Sequence, residues 1–171
     1  MLNQQLSIYL NSFLFKSNFF DYLIYFFAQI LPFILFVFIA WYFFFSKKEP
    51  IKFVLISFII AVSLGFSEIL KFIFSNDRPF LAIPEITPLF TLGGADSFPS
   101  GHALVLAALT TAMYFENRTL GYFFFICSIV IGISRVFAGV HYAGDILAGF
   151  FIGSLFVLLG YKFIGKLRNK S

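Results

Sequence analysis

The chain has 171 residues, of which 60% are hydrophobic, 22% aromatic and only 12% charged, with a formal net charge of +4. A soluble domain of this length carries about 25% charged residues, so the composition excludes a water-soluble globule, and its high apolar content excludes a disordered chain. What remains is an integral membrane protein, in which the basic residues serve orientation and imply no nucleic-acid partner.

Residues 1–17 place Leu2, Leu6, Tyr9, Leu10, Phe13 and Leu14 at near-helical spacing. This predicts an amphipathic interfacial helix, the alternative being a sixth, partly inserted segment. Phe19 to Phe45 is the first apolar stretch long enough to cross a bilayer, with Pro32 as a predicted kink and no small-residue cleavage site behind it. Phe53 to Phe74 is the second, broken only by Glu68 and Lys71 near its end. The Pro-, Gly- and Asp-rich stretch 75–98 reads as an ordered surface loop.

Three shorter stretches follow, Gly101 to Phe115, Leu120 to Ile133 and Ile146 to Tyr161. At 1.5 Å per residue a helix of about 16 residues reaches only about 24 Å, against a hydrocarbon core of about 30 Å. The expected fold is all-α: one membrane-embedded domain, a bundle of about five transmembrane helices plus the N-terminal interfacial helix. Gly149-x-x-x-Gly153, Gly144-x-x-x-Ala148 and Ser128-x-x-x-Gly132 permit close helix packing. The one cysteine, Cys127, can form no intrachain disulfide.

Placing Lys47, Lys48 and Lys52 in the cytoplasm puts Arg118, Lys162, Lys166, Arg168 and Lys170 there too, eight of the 12 basic residues. The carboxyl terminus is then cytoplasmic, and the sequon-like Asn117-x-Thr119 is discounted because it falls on that side. Topology brings Lys71, Arg78, Ser100-Gly101-His102, Arg135, His141 and Asp145 to the outer face. Taken singly, each has an ordinary explanation: a snorkelling lysine, a structural histidine, an N-cap aspartate. Together, three cations in a partly desolvated place repel one another unless an anion sits among them.

A phosphate suits this set. Ser100-Gly101 opens a helix whose first N–H groups lack intrahelical partners, Arg78 and Arg135 are forked donors, and Lys71 is a point charge. If the second segment stays helical to its end, Lys71 and Arg78 share a face two turns apart. Asp145, four residues after His141, can fix the imidazole tautomer and leave the other nitrogen free as a nucleophile, while His102 protonates a departing oxygen. Such a displacement needs no metal or cofactor, and the adjacent cations disfavour a divalent ion. Glu68, one turn before Lys71, is placed to direct the lysine, the alternative being a plain buried ion pair. Asp96 reads as a turn cap rather than a substrate ligand.

These residues fill every position of the signature Lys-x6-Arg-Pro, Pro-Ser-Gly-His and Ser-Arg-x5-His-x3-Asp, as Lys71 to Arg78-Pro79, Pro99 to His102, and Ser134-Arg135 to His141 to Asp145. The chain thereby resembles the type-2 phosphatidic acid phosphatase superfamily. The resemblance implies a multi-pass membrane enzyme that dephosphorylates lipid phosphates at the outer face of the cell membrane. It assigns His141 as nucleophile, Asp145 as its partner and His102 as general acid, with Lys71, Arg78, Ser100, Gly101 and Arg135 holding the phosphoryl group. Short length, Arg78-Pro79-Phe80, Ala95 to Pro99 and His141-Tyr142 are similar to the small bacterial undecaprenyl-diphosphate phosphatases of the bacitracin-resistance type. Many of those carry Asp where Gly101 stands here. Polyprenyl diphosphate is the expected substrate, with phosphatidylglycerophosphate, phosphatidate or a lipid A phosphate as alternatives meeting the same constellation. A protein that binds or flips lipid phosphates without turnover is the rival of another class.

Overall fold

The computed structural model describes residues 2–91 and 94–168, with side chains to residue 163. Lys170 lies outside the described residues, as do the side chains of Lys166 and Arg168. Among the described residues the regular elements are all helices: α1 (Leu2–Asn11), α2 (Asn18–Ser46), α3 (Pro50–Phe74), α4 (Gly101–Glu116), α5 (Arg118–Phe137) and α6 (Ala143–Arg168). A single helical turn, Pro79–Ala82, sits in the loop between α3 and α4. Four helices are long and apolar enough to cross a membrane: α2, α3, α5 and the Ala143–Phe163 part of α6.

The last two spans are longer than expected. Arg135 lies inside the last turn of α5, and Asp145 inside the first turn of α6. Polar residues that read as segment ends are buried in the helices themselves, which a functional cluster inside a bundle requires. Of the three stretches expected to be short, only α4 is, with 16 residues. It is the central helix, packed most extensively against α6 and α5 and buried along much of its length. Gly149 and Gly153 explain how close α6 comes: a Cβ on Gly149 would stand 2.6 Å from the Ser100 carbonyl oxygen, and one on Gly153 would fall on that of Leu104. Gly144 instead faces Asn3 of α1.

Pro32 does not break α2. It cannot donate to the carbonyl of Ala28 four residues back, and its ring crowds that oxygen. The helix absorbs this by widening into a π-helical stretch, Phe26–Ile30, immediately ahead of the proline. At the opposite end of the bundle, Lys52 Nζ joins Glu49 at 2.8 Å and Glu116 at 3.0 Å, tying the start of α3 to the end of α4. Asn117 alone links α4 to α5, and its side chain caps α5 by accepting from Leu120 N–H at 3.1 Å. The sequon-like asparagine is therefore a helix cap.

The bundle has an apolar inner core of Leu35, Ile39, Phe43, Ile60, Met113 and Phe124, with smaller clusters at the end that carries His141. Many phenylalanines, Phe33, Phe58, Phe72 and Phe151 among them, point outward. Hydrocarbon is as apolar as leucine, so such a surface suits a lipid solvent.

Candidate active site

The helix ends opposite Lys52 gather the predicted residues. Arg78, Arg135, His141 and Asp145 are all buried, at 6%, 2%, 3% and 4% exposure. His102 stands at the start of α4 within electrostatic reach of Arg135, His141, Arg78 and Lys71. Ser100 is fully buried as the N-cap of α4; its hydroxyl accepts from Ala103 N–H at 3.5 Å, and the first N–H groups of the helix have no intrahelical partner. The Ser100 N–H donates to the carbonyl of Asp145 at 3.1 Å, which joins the start of α4 to the start of α6.

His141 and Asp145 do not share a helical turn. His141 precedes α6, in the connection from α5, and Asp145 is the third residue of the helix. The Asp145 carboxylate reaches back to the Tyr142 N–H at 2.8 Å, the reciprocal half of a capping box. The same Oδ2 lies 3.5 Å from His141 Nδ1, a buried nitrogen with no closer partner. Burial holds the His141 imidazole down at about 4; Asp145 opposes the shift, and Arg135 and Arg78 add to it. The ring is therefore neutral at neutral pH, with Nε2 available as a nucleophile.

Arg78 is reached differently from the expected helical stripe. α3 ends at Phe74 because Ser75 is left-handed (φ 42°), and the residue before Pro79 is driven to extended backbone (φ −65°, ψ 152°). Lys71 and Arg78 thus belong to separate elements. Backbone pairing of Asp77 with Asp96, including Arg78 N–H to the Ala95 carbonyl at 3.1 Å, folds the loop back on itself. The guanidinium then donates from Nε to the Gly94 carbonyl at 2.6 Å and, at a longer 3.4 Å, from Nη1 to that of Val140. Burial lowers Arg78 from its usual range, while Asp145 and Asp96 oppose that shift.

Arg135 Nη1 donates to the Ala28 carbonyl at 3.1 Å, the carbonyl that Pro32 cannot satisfy; its Nε is buried without a partner. Lys71 pairs with Glu68 at 2.6 Å, as the spacing predicts. Sequence reading missed the carbonyls of Ala28, Gly94 and Val140, because main-chain acceptors carry no residue signature; only Pro32 hinted at one of them. It also missed Ser67, whose buried hydroxyl lacks a partner one turn before Lys71. Among the described residues no three His, Cys, Asp or Glu side chains form a group that could hold a metal ion.

Residues 52–169 match the PAP2 superfamily, a stretch that holds all of these residues except Ala28 and Pro32. The chain belongs to the PAP2 superfamily. It is 29% identical over 125 residues to the undecaprenyl-diphosphatase BcrC of Bacillus subtilis strain 168, covering 72% of this chain and 64% of that protein. It is 28% identical over 122 residues to the bacitracin transport permease protein BcrC of Bacillus licheniformis, covering 71% and 59%. The chain thus spans about six-tenths of the length of these curated relatives. The crystal structure of Aquifex aeolicus LpxE superposes with a TM-score of 0.78 at 26% identity, covering 95% of this chain and 96% of that one. A PAP2 chain with an all-helical membrane bundle accounts for the sidedness of the cluster: the signature residues come from three separate segments that only the bundle brings together.

Proposed function

We propose that this PAP2 protein is a membrane lipid phosphatase acting on a polyprenyl diphosphate, with α4 as a fifth crossing, the site at the outer face and the carboxyl terminus in the cytoplasm. The observation that carries the reading is the contact of His141 with Asp145 beside two buried arginines, one of which keeps an unpaired Nε. A neutral, buried imidazole backed by a carboxylate is a nucleophile. A protein that only bound lipid phosphates would need the arginines and neither histidine.

In the first step His141 Nε2 attacks the terminal phosphorus, the bond from phosphorus to the bridging oxygen breaks, and His102 gives that oxygen a proton. The lipid monophosphate leaves, and the phosphoryl group stays on His141. In the second step water attacks the phosphorus, His102 takes its proton, and the N–P bond breaks to release inorganic phosphate. Arg78, Arg135, Lys71 and the N–H groups of Gly101 and its neighbours hold the equatorial oxygens, where negative charge spreads in the transition state. Asp145 stabilises the positive charge that the ring acquires.

The lipid part has a place. An open apolar groove of about 350 Å³ runs between α2, α3 and α4, lined by Pro32, Phe33, Phe36, Leu64 and Leu109, with His102 and Gly101 at its head. A chain lying there puts its phosphate beside His102, and the relative named undecaprenyl-diphosphatase supports an isoprenoid occupant. The test is phosphate release by purified protein in detergent, in the presence of a chelator, over a panel of farnesyl diphosphate, undecaprenyl diphosphate, phosphatidylglycerophosphate, phosphatidate and lipid A. Fastest turnover of the prenyl diphosphates, abolished in His141→Ala, is expected. Faster turnover of another lipid would change the substrate and keep the mechanism, and binding without turnover would leave a carrier.

A further inference from the structure

α1 turns a polar stripe inward. Ser7 and Asn11 are buried, at 0% and 5% exposure, and Asn3 continues the stripe one turn earlier at the exposed end of the helix. The apolar residues that read as one face divide in two. Leu10 and Leu14 join the inward face, packing near Val136, Ala138, Val140 and Ile146, while Leu2, Leu6, Tyr9 and Phe13 remain exposed. An interfacial helix commonly sets its apolar face in lipid and its polar face in water; here protein takes the place of the water.

The inward polar groups grip a particular piece of backbone. Asn11 Nδ2 donates to the carbonyl of Phe137, the last residue of α5, at 3.0 Å, and to that of Thr87 at 2.9 Å; its Oδ1 accepts from the Thr87 N–H at 3.0 Å. Asn3 Oδ1 accepts from the Gly144 N–H, an otherwise unpaired donor in the first turn of α6, at 3.3 Å. Between those two anchors lie only Ala138 to Ala143, the segment that carries His141. Its turn is made by Gly139 at φ +73°, where a Cβ would stand 3.0 Å from Asn11 Nδ2 and 2.7 Å from Ile86, so the glycine and the asparagine fit as a pair.

We propose that α1 is a strap that positions the nucleophile: Asn11 and Asn3 clamp the two ends of the α5–α6 connection and so fix His141 against Asp145 and the phosphate pocket. Asn11 and Asn3 touch no substrate in this arrangement and are positioning residues. The inference rests on the reading of His141 as nucleophile. Three hydrogen bonds from one buried amide to a loop and to the end of α5 are more than packing demands, since a helix seated by Leu10 and Leu14 alone would need none.

The groups facing His141 are Asp145, Arg135, Arg78 and His102, and no inward-facing residue of α1 is titratable. α1 can therefore influence the imidazole only through its position. The test compares Asn11→Ala, Asn3→Ala, Asn3→Asp and His141→Ala with the parent protein in detergent, on farnesyl diphosphate and on phosphatidate, with thermal melting to give the folded fraction. Asn11→Ala is expected to lose about 10- to 100-fold in kcat, with KM within about twofold, the scale of a small misplacement of a reacting group. Its acid limb of kcat/KM is expected to move up from about 4, because a loosened loop lets water reach the ring. Asn3→Ala loses between about two- and tenfold, and Asn3→Asp, which keeps the acceptor for Gly144 N–H, restores the parent rate. Partial unfolding would lower the active fraction without moving the pH limb, and it would not separate Asn3→Ala from Asn3→Asp. Parent-like kcat and pH limb in both alanine variants, with His141→Ala inactive, overturn the strap and leave the catalytic reading intact. An active His141→Ala overturns the catalytic reading itself. Should Asn11→Ala fail to fold, the Asn3 pair decides.

Discussion

Replacing Asp145 by Asn removes one charge and almost nothing else. The amide oxygen can still accept from Tyr142 N–H, now at 2.8 Å, so the capping box that starts α6 survives, as does the main-chain bond from Ser100. What is lost, on the proposed mechanism, is the attraction between the carboxylate and the positive charge that develops on His141 as it takes the phosphoryl group. With Oδ2 3.5 Å from Nδ1 and both side chains about 5% exposed or less, Coulomb's law at an effective dielectric of about 20 gives about 5 kcal/mol. At about 1.4 kcal/mol per factor of ten this is a loss of about 10³- to 10⁴-fold in kcat, with KM nearly unchanged. The assay is rapid-quench kinetics on a radiolabelled lipid phosphate in detergent micelles, quenched in alkali so that phosphohistidine survives. Formation of the covalent species should slow by the same factor as steady-state turnover. A loss under tenfold in a variant that melts like the parent would refute the assignment of Asp145 as partner of the nucleophile.

Three further outcomes follow from the geometry. His141 protonates near 6.5 when unfolded and near 4 when folded, so the unfolded chain binds more protons between those values. The stability tied to this group is complete above about 6.5 and falls as pH drops toward 4; melting temperatures titrated over that window should fall less in His141→Ala, and on the proposed function the parent's acid limb in kcat/KM should lie near 4. Gly153→Ala forces a methyl onto the Leu104 carbonyl and should cost about 1–3 kcal/mol, read as a lower melting temperature in detergent. Pro32→Ala returns an N–H to the Ala28 carbonyl that Arg135 now uses. The variant should melt higher, because a helix-interior proline is removed, yet lose about 10- to 100-fold in kcat/KM, the worth of a hydrogen bond to a charged group.

The gathering of the candidate residues was legible because they are recognised by their side chains. Lys71, Arg78, Ser100, Gly101, His102, Arg135, His141 and Asp145 are polar residues in a chain of lipid-facing apolar ones, and alternating spans carry them to one end. The helix limits around them were misjudged for the same reason: a buried Arg135 interrupts an apolar run in the sequence but not in the helix. α1 was read as amphipathic from its apolar spacing, and the structure shows that its polar residues set its orientation. Asn3, Ser7 and Asn11 follow one another at four-residue intervals, a signal present in the sequence that competes with the equally regular leucines. The loop between Pro79 and Pro99 had no periodicity to follow, since its shape comes from pairing of Asp77 with Asp96 and from carbonyls that serve Arg78.

Those carbonyls also alter the argument from repulsion. Three close cations in a desolvated site imply an anion only if nothing else stabilises them. Here Arg78 has Gly94 and Val140, Arg135 has Ala28, and Lys71 has Glu68. On the proposed function the pocket is preorganised before a phosphate arrives: its donors are already aimed and need no reorganisation as charge moves onto the transferring group, the condition under which electrostatic stabilisation is most effective. Arg135 Nε is buried and has no acceptor among the described residues, while its guanidinium is held through Nη1 to the Ala28 carbonyl that Pro32 leaves without an N–H. A proline in the first spanning helix, outside the matched family segment, thereby bears on the direction of an arginine in α5.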